Sequence, residues 1–399
     1  MKQIAGGVTA PEGFWASGVS GGIKRRGKDL ALLFSDRPAV AAGTVTENAL
    51  KAPCVIWAQK ILKRGMARAI VANSGNANCC TGRRGIRDNE KMADLVAREL
   101  RVEPLEILTA STGVIGRFLP MARIRRAIPE AAKNLSCTGS LSAAQAIMTT
   151  DTRPKEIALR WKIGTHTVTL GGIAKGSGMV SPSMATMFSF LTTDVKIDRS
   201  TLSAALRDAV DDSFNAISVD GEMSTNDMVL ILANGASGAP SVRKGSAAYT
   251  VFCEALRMVC GHLAREIVRD GEGVTRLMTV RVTGAQNAEK ARRIARKIGE
   301  SLLVKTMVAG RDPNWGRVAA AVGAAGILID INRLTIRLGK RIVFQKGEPV
   351  RVGHPLLLNE VDQPEVRIGV DLGSGKGSAI LLSGDLTEGY IRINAKYTT

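Results

Sequence analysis

The sequence predicts an α/β protein, and three observations carry that prediction. Apolar runs of strand length alternate along the chain with stretches patterned for helix. The composition is 45% hydrophobic but only 4% aromatic, which suits a core of Ala, Val, Ile and Leu. Forty-two glycines supply the turns and close backbone approaches that such a fold needs. A chain of 399 residues can bury a large core and divides naturally into two domains.

Residues 6 to 45 read as strands and turns: GGVTAPEGFWASGV, then Leu30 to Ser35 and Val40 to Val45. Residues 69 to 82, AIVANSGNANCCTG, read as a strand running into an Asn/Gly-rich loop. The next helix has Met92, Leu95 and Val96 on one face and charges on the other. Leu105 to Leu108 is a strand ending in the glycine turn Thr109-Ala110-Ser111-Thr112-Gly113-Val114-Ile115-Gly116, which would expose backbone N–H groups. Met121 to Leu135 is basic and helix-prone. Leu141 to Met148 is a second helix that stops at Thr149-Thr150-Asp151-Thr152, with Pro154 at its exit. Two strands, Ile157 to Ile163 and His166 to Ile173, lead to the middle of the chain.

From residue 175 to 194 the sequence is KGSGMVSPSMATMFSFLTTD. Gly176, Ser177, Gly178 and then Ser181-Pro182-Ser183 make a loop, and Met187 to Leu191 is an apolar run of strand length. The loop therefore delivers Thr186 to the start of a buried strand, where a nucleophile would sit if the chain were cut just before it. On spacing alone the ordinary reading, a strand-edge threonine, is the stronger one. Asp198 then caps a helix running to about Phe214, and residues 218 to 228, SVDGEMSTNDM, form a polar loop typical of a site wall. Met228 to Leu232 is a strand. A long helix from Ser246 to Val268 ends at Asp270-Gly271-Glu272-Gly273, with Gly271 in the C-terminal turn.

Near residue 276 the character changes, which places a main domain at 1–275 and a smaller α/β domain at 276–399. Met278 to Thr283 is a strand. Ala288 to Leu303 is an amphipathic helix with the stripe Ala291, Ile294, Ala295, Ile298 and Leu302, flanked by solvated arginines and Lys297. Asp312 as N-cap and Pro313 at the first position open another helix, and hairpin-like strands fill the remainder. Gly373-Ser374-Gly375-Lys376-Gly377 looks like a phosphate loop but lacks Ser or Thr after Lys376 and runs into a strand, so it reads as a hairpin turn.

A net charge of +19 makes nucleic acid the first partner to test. The basic residues are scattered, no RNP-like or zinc-finger pattern is present, and three Tyr and eight Phe are too few for stacking platforms. Attraction of small anionic substrates, or a general surface bias, fits better. The six cysteines form no C-x-x-C, and Cys253 and Cys260 share one helix face. His166, His262 and His354 lie far apart, so no metal site is expected and the cytosol is the natural compartment. Met1 to Ile4 run into GGVTAPEGF without an apolar h-region, so no secretory signal is expected. Val318 to Ile329 is too short, and too broken by Gly323 and Gly326, to span a membrane.

The central stretch resembles the self-cleavage segment of the ornithine acetyltransferases, also called bifunctional glutamate N-acetyltransferases, of arginine biosynthesis. K-G-S-G-M at 175–179, P-S-M-A-T-M at 182–187 and T-T-D at 192–194 carry the likeness, and matching segments run from residue 6 to the last. The resemblance implies a layered α/β sandwich with a second, smaller C-terminal α/β domain. It implies autocatalytic cleavage between Ala185 and Thr186 and association of fragments 1–185 and 186–399 as a heterotetramer of two of each. No metal or bound cofactor is implied. The implied reaction moves the acetyl group of N-acetylornithine to glutamate through an acetyl-Thr186 intermediate. Members that do and do not use acetyl-CoA as a further donor share these motifs.

The chemistry is coherent. A threonine hydroxyl needs a base, and the chain offers no Ser-His-Asp set. A free α-amino group, with a pKa of about 7.7–8.0, can take the proton, so cleavage before Thr186 would be activation. The oxyanion needs fixed donors. The segment Ser111-Thr112-Gly113 is similar to the family's S-T-G-(V/L)-I-G, which implies Thr112 and Gly113 for that role; without the family it is an ordinary turn. The resemblance also nominates a substrate shell: Thr149 in MTTDT, Lys175 in AKGSGM, Thr186 itself, Glu272 in DGEG, and Asn394 and Thr399 in INAKYTT. Lys175 would pair with an α-carboxylate and Glu272 with ornithine's ammonium. Read alone, these are a solvated loop lysine, a helix-end charge and a chain terminus. The chain departs from the family where Leu382-Ser383-Gly384-Asp385-Leu386 replaces a W-G-C-D-L pattern and where Arg311 replaces an acidic residue. Two alternatives stand beside this reading: an N-terminal-nucleophile amidase or aminopeptidase of related fold, and a non-enzymatic basic binding protein with salt-sensitive retention on nucleic acid.

Overall fold

The computed structural model describes residues 1–181 and 187–396. The chain makes two compact units, one of Met1–Ser177, Ser183–Asn215 and Glu222–Ile267, the other of Gly178–Pro182, Ala216–Gly221 and Val268–Thr399. The architecture is mixed α/β with two sheets.

In the first unit a mixed sheet runs in the order Lys2–Ile4, Lys155–Ile163, His166–Lys175, Phe188–Thr193, Met228–Ala233, Leu30–Val45, Met66–Asn76 and Ile107–Val114, with Phe14–Val19 also paired to Leu30–Val45. Its strands alternate faces with period two. Leu30, Leu32, Ala69 and Val71 pack on Met92, Val96, Ile124 and Ile128 of the helices Gly82–Leu100 and Met121–Lys133. The intervening Ala31, Leu33, Ile70 and Ala72 pack on Val55, Ala58, Ala143 and Ile147 of Pro53–Arg64 and Ser140–Ile147. Both faces are thus covered by helices, which explains the near-continuous apolar runs of the central strands. Asp198 caps Arg199–Asp211 as its sequence position implies, its side chain accepting from the Thr201 N–H at 3.0 Å.

The second unit orders its strands as Glu348–Pro349, Arg341–Gln345, Thr335–Leu338, Glu365–Asp371, Leu277–Ala285, Gly377–Gly384 and Ile217–Ser218. Met278, Val280 and Val282 bury against Ala291, Ile294, Ala295 and Ile298 of the helix Ala288–Gly299. Three sequence expectations are corrected here. The helix stops at Gly299, and Ser301 caps a new one, Leu302–Ala309, so Leu302 is exposed rather than part of the stripe. Asn314, not Asp312, sits at the N-cap of Trp315–Gly323, and Pro313 lies outside that helix. The Gly373–Gly377 segment is no hairpin turn: Glu365–Asp371 and Gly377–Gly384 flank Leu277–Ala285 on opposite sides, so the segment crosses over that strand.

Candidate active site

The sheet of the first unit fixes both ends of the segment that carries Thr186. Lys175, the last residue of His166–Lys175, is the antiparallel partner of Phe188, the first residue of Phe188–Thr193. Thr186 itself lies outside the described residues. Lys175 is only 2% exposed, and its Nζ donates to Thr112 Oγ1 at 3.2 Å. An ammonium can only donate, so the Thr112 oxygen accepts here and its own proton is directed elsewhere.

Asp151 anchors this cluster. Its Oδ1 accepts from Lys155 Nζ at 2.7 Å and from the Gly176 N–H at 2.8 Å, and its Oδ2 accepts from the Thr149 N–H at 3.0 Å. Burial pushes the Asp151 carboxyl up, but the charges of Lys175 and Lys155 and the Gly176 N–H outweigh it and hold it below its ordinary value. Lys24 also lies in the field of this group: burial lowers its pKa, Asp29 and Asp151 raise it, and Lys175 lowers it further. One carboxylate therefore ties together the Thr149 backbone, the loop entrance at Gly176 and the buried ammonium of Lys155, within the field of a second, Lys175.

Thr112 and Gly113 sit in a strand, not in a turn. The sequence reading ended this strand at Leu108, but Ile107–Val114 runs on because it pairs in parallel with Met66–Asn76. The register slips at Gly75 and Asn76, which breaks the regular ladder beside Gly113. Gly113 has φ +131°, and a Cβ there would lie 2.3 Å from the Gly75 carbonyl carbon, so no other residue fits.

Two residues of the polar loop at 218–228 reach this region. Asn226 Nδ2 donates to the carbonyls of Ser111 and Ala77, each at 2.7 Å. Asp227 Oδ1 accepts from the N–H of Met187, the residue after Thr186, at 2.7 Å. Sequence reasoning marked the loop as a site wall but did not single out these two, nor Asp151 and Lys155. The only hint was position: Asp151 lies inside the MTTDT segment, and Asn226-Asp227 immediately precede an apolar strand.

In the second unit, Glu272 is buried, and its Oε2 accepts from Asn394 Nδ2 at 2.8 Å. Gly178 lies against the same carboxylate: a Cβ there would come within 2.5 Å of it, so the glycine of K-G-S-G-M admits Glu272. Asp220 takes the N–H groups of Met179 and Val180 at 2.6 and 2.8 Å and so fixes the next turn of this segment. The departure at Leu382–Gly384 surrounds Lys305, which donates to Ser383 Oγ and to the Gly384 carbonyl, and Arg311 pairs with Asp362 at 3.3 Å. Thr112, Lys175 and Thr149 are thus brought together in one unit, and Glu272 with Asn394 in the other. Thr399, like Thr186, lies outside the described residues.

Among the described residues no helix is long and apolar enough to cross a membrane. Cys54 and Cys260 are core residues whose thiols burial pushes up to about 12.

The ArgJ family model matches residues 15–399. The arginine biosynthesis bifunctional protein ArgJ of Symbiobacterium thermophilum is 49% identical over 402 residues, covering 100% of both chains. The protein of the same name from Thermosynechococcus vestitus is 45% identical over 416 residues, covering 100% of this chain and 99% of its own. Among solved structures, an arginine biosynthesis bifunctional protein argJ from Bacillus halodurans matches with TM-score 0.51 and 38% identity; the match covers 52% of this chain and 98% of that one.

Proposed function

The chain belongs to the ArgJ family, and on that premise we propose that it is an acetyltransferase of arginine biosynthesis that moves the acetyl group of N-acetylornithine to glutamate. The observation that carries this reading is the buried Lys175–Thr112 bond at the strand end whose register partner is Phe188, two residues beyond Thr186.

Cleavage between Ala185 and Thr186 frees the Thr186 α-amino group. That amine takes the hydroxyl proton as Thr186 Oγ attacks the acetyl carbonyl. Thr112 and Gly113 stabilise the tetrahedral oxyanion; the Thr112 hydroxyl can donate to it because Lys175 occupies the oxygen's acceptor side. The C–N bond breaks, the proton passes to the leaving amine, and ornithine departs, leaving acetyl-Thr186. The glutamate amine then attacks the ester, gives N-acetylglutamate and restores the hydroxyl. Lys175, with Thr149, takes the substrate α-carboxylate, and Glu272, held by Asn394, takes ornithine's side-chain ammonium; Thr399 completes the shell. The full-length match to relatives named for arginine biosynthesis supports the pathway. The proposed assembly is two copies of each fragment in the cytoplasm, with no bound cofactor. Acetyl-CoA is the proposed second donor, supported by the word bifunctional in the relatives' names.

Steady-state kinetics test the reaction. Acetyl transfer through acetyl-Thr186 gives parallel double-reciprocal lines for N-acetylornithine and glutamate. Intersecting lines contradict the covalent intermediate, and ornithine release at the same rate without glutamate identifies an amidase instead.

A further inference from the structure

We infer that Asn226 and Asp227 are positioning residues that set the register of the Thr186 nucleophile against the Thr112 oxyanion donor. The inference rests on the acetyl transfer proposed above and extends it to residues outside the reacting set. The two side chains are adjacent in the chain and are 3% and 1% exposed. They grip the two strands that the reaction must hold in register.

Asn226 Nδ2 holds the Ser111 carbonyl at 2.7 Å. That carbonyl belongs to the planar peptide that enters Thr112, so holding it fixes the backbone from which the Thr112 hydroxyl projects. The same nitrogen holds the Ala77 carbonyl at 2.7 Å, and Asn226 Oδ1 is itself fixed by Thr225 Oγ1 at 2.6 Å. Asp227 Oδ1 takes the Met187 N–H at 2.7 Å, in the peptide that joins Met187 to Thr186. The parallel ladder between Met228–Ala233 and Phe188–Thr193 begins at Met228 and Phe188. Asp227 thus extends the pairing one residue toward Thr186. Its own backbone carbonyl accepts from the Thr46 N–H at 3.0 Å, so the spacer cannot slide. A single peptide unit, Asn226-Asp227, therefore spans from the oxyanion strand to the nucleophile strand.

The test is a double-mutant cycle read in kcat on the self-processed protein, with thermal melts to confirm folding. Asn226→Ala alone lowers kcat about 30- to 100-fold, the cost of misplacing a reacting group by roughly an ångström. In a Thr112→Ala background the same change costs less than about threefold, because the donor it positions is gone. Fully multiplicative losses would show a merely structural residue and overturn the inference. Asp227→Ala lowers kcat about 10²-fold with KM for N-acetylornithine within about threefold, whereas Asp227→Asn, which keeps an oxygen for the Met187 N–H, recovers to within about tenfold of wild type. Equal losses in Asp227→Ala and Asp227→Asn overturn the assignment, and they decide it alone if Asn226→Ala does not fold. A wild-type protein that transfers no acetyl group refutes the proposed reaction instead, an outcome separate from any effect of these variants.

Discussion

Lys155 and Lys305 are both buried lysines, one in each unit, and they differ in what their ammonium groups bond. Lys155 is bonded to a carboxylate at 2.7 Å: Asp151, which Lys175 and Lys155 hold below its ordinary value against its burial. Lys305 has its protons on neutral oxygens, the carbonyls of Val219 and Gly384 and the hydroxyl of Ser383. Burial pushes Lys305 down to about 8 against the raising fields of Asp385, Asp220 and Glu300. Hydrogen bonds to neutral groups satisfy an ammonium's protons without replacing the solvation of its charge. A bonded carboxylate does both, and the first unit places one, Asp151, on Lys155 and in the field of Lys175.

The sharpest way to break this contrast is Asp151→Asn. It leaves Lys155 and Lys175 buried without their carboxylate and should cost about 3–5 kcal/mol in urea unfolding. The sign with pH follows: Asp151's folded value lies below 3.8, so its stabilisation is present above that pH and is lost as pH falls through the lower folded value. A variant as stable as wild type at pH 7 contradicts the cluster's charge balance.

Next in size is Thr112→Ala, which should lower kcat by roughly 10²–10³, as loss of an oxyanion donor does, while Lys305→Met leaves kcat within about threefold. An equal kcat loss in both variants would erase the distinction between the clusters. Lys305 itself gives a pH effect of the same sign in a different window. Below about pH 8 both folded and unfolded states hold its proton and the burial cost stands in full. Between about 8 and its ordinary 10.5 the folded state sheds the proton first, so stability from this group rises with pH, by up to about 3 kcal/mol. The difference in stability between wild type and Lys305→Met across that window isolates the rise, and a flat difference removes it. The exposed carboxylate Asp198 sets the small end of the scale: Asp198→Ala loses the Thr201 cap and about 1 kcal/mol, measured by thermal melting.

Much of the fold was legible because it is written in local pattern. The alternating strands, the Asp198 cap and the stripe Ala291–Ile298 depend on residues near one another in sequence. The errors have the same origin. Ile107–Val114 outran its prediction because its pairing with Met66–Asn76 overrides the local glycine, and Leu302 left its stripe because Ser301 offers a cap that ends one helix and starts another. At the site, the resemblance nominated Thr112, Gly113 and Lys175. It did not reveal Asp151, whose role is to collect Lys155, Gly176 and Thr149, or Asn226 and Asp227, whose partners lie 115 and 40 residues away in sequence. Long-range hydrogen bonds leave no period in a sequence.

The central claim is that Thr186 becomes an N-terminal nucleophile, and an intact-mass spectrum under denaturing conditions tests it directly. The purified protein should appear as fragments 1–185 and 186–399. After brief exposure to N-acetylornithine without glutamate, the second fragment alone should gain one acetyl group, and Thr186→Ala should stay a single unmodified chain. An uncut wild-type chain that still transfers acetyl groups, or acetylation confined to the first fragment, contradicts the account.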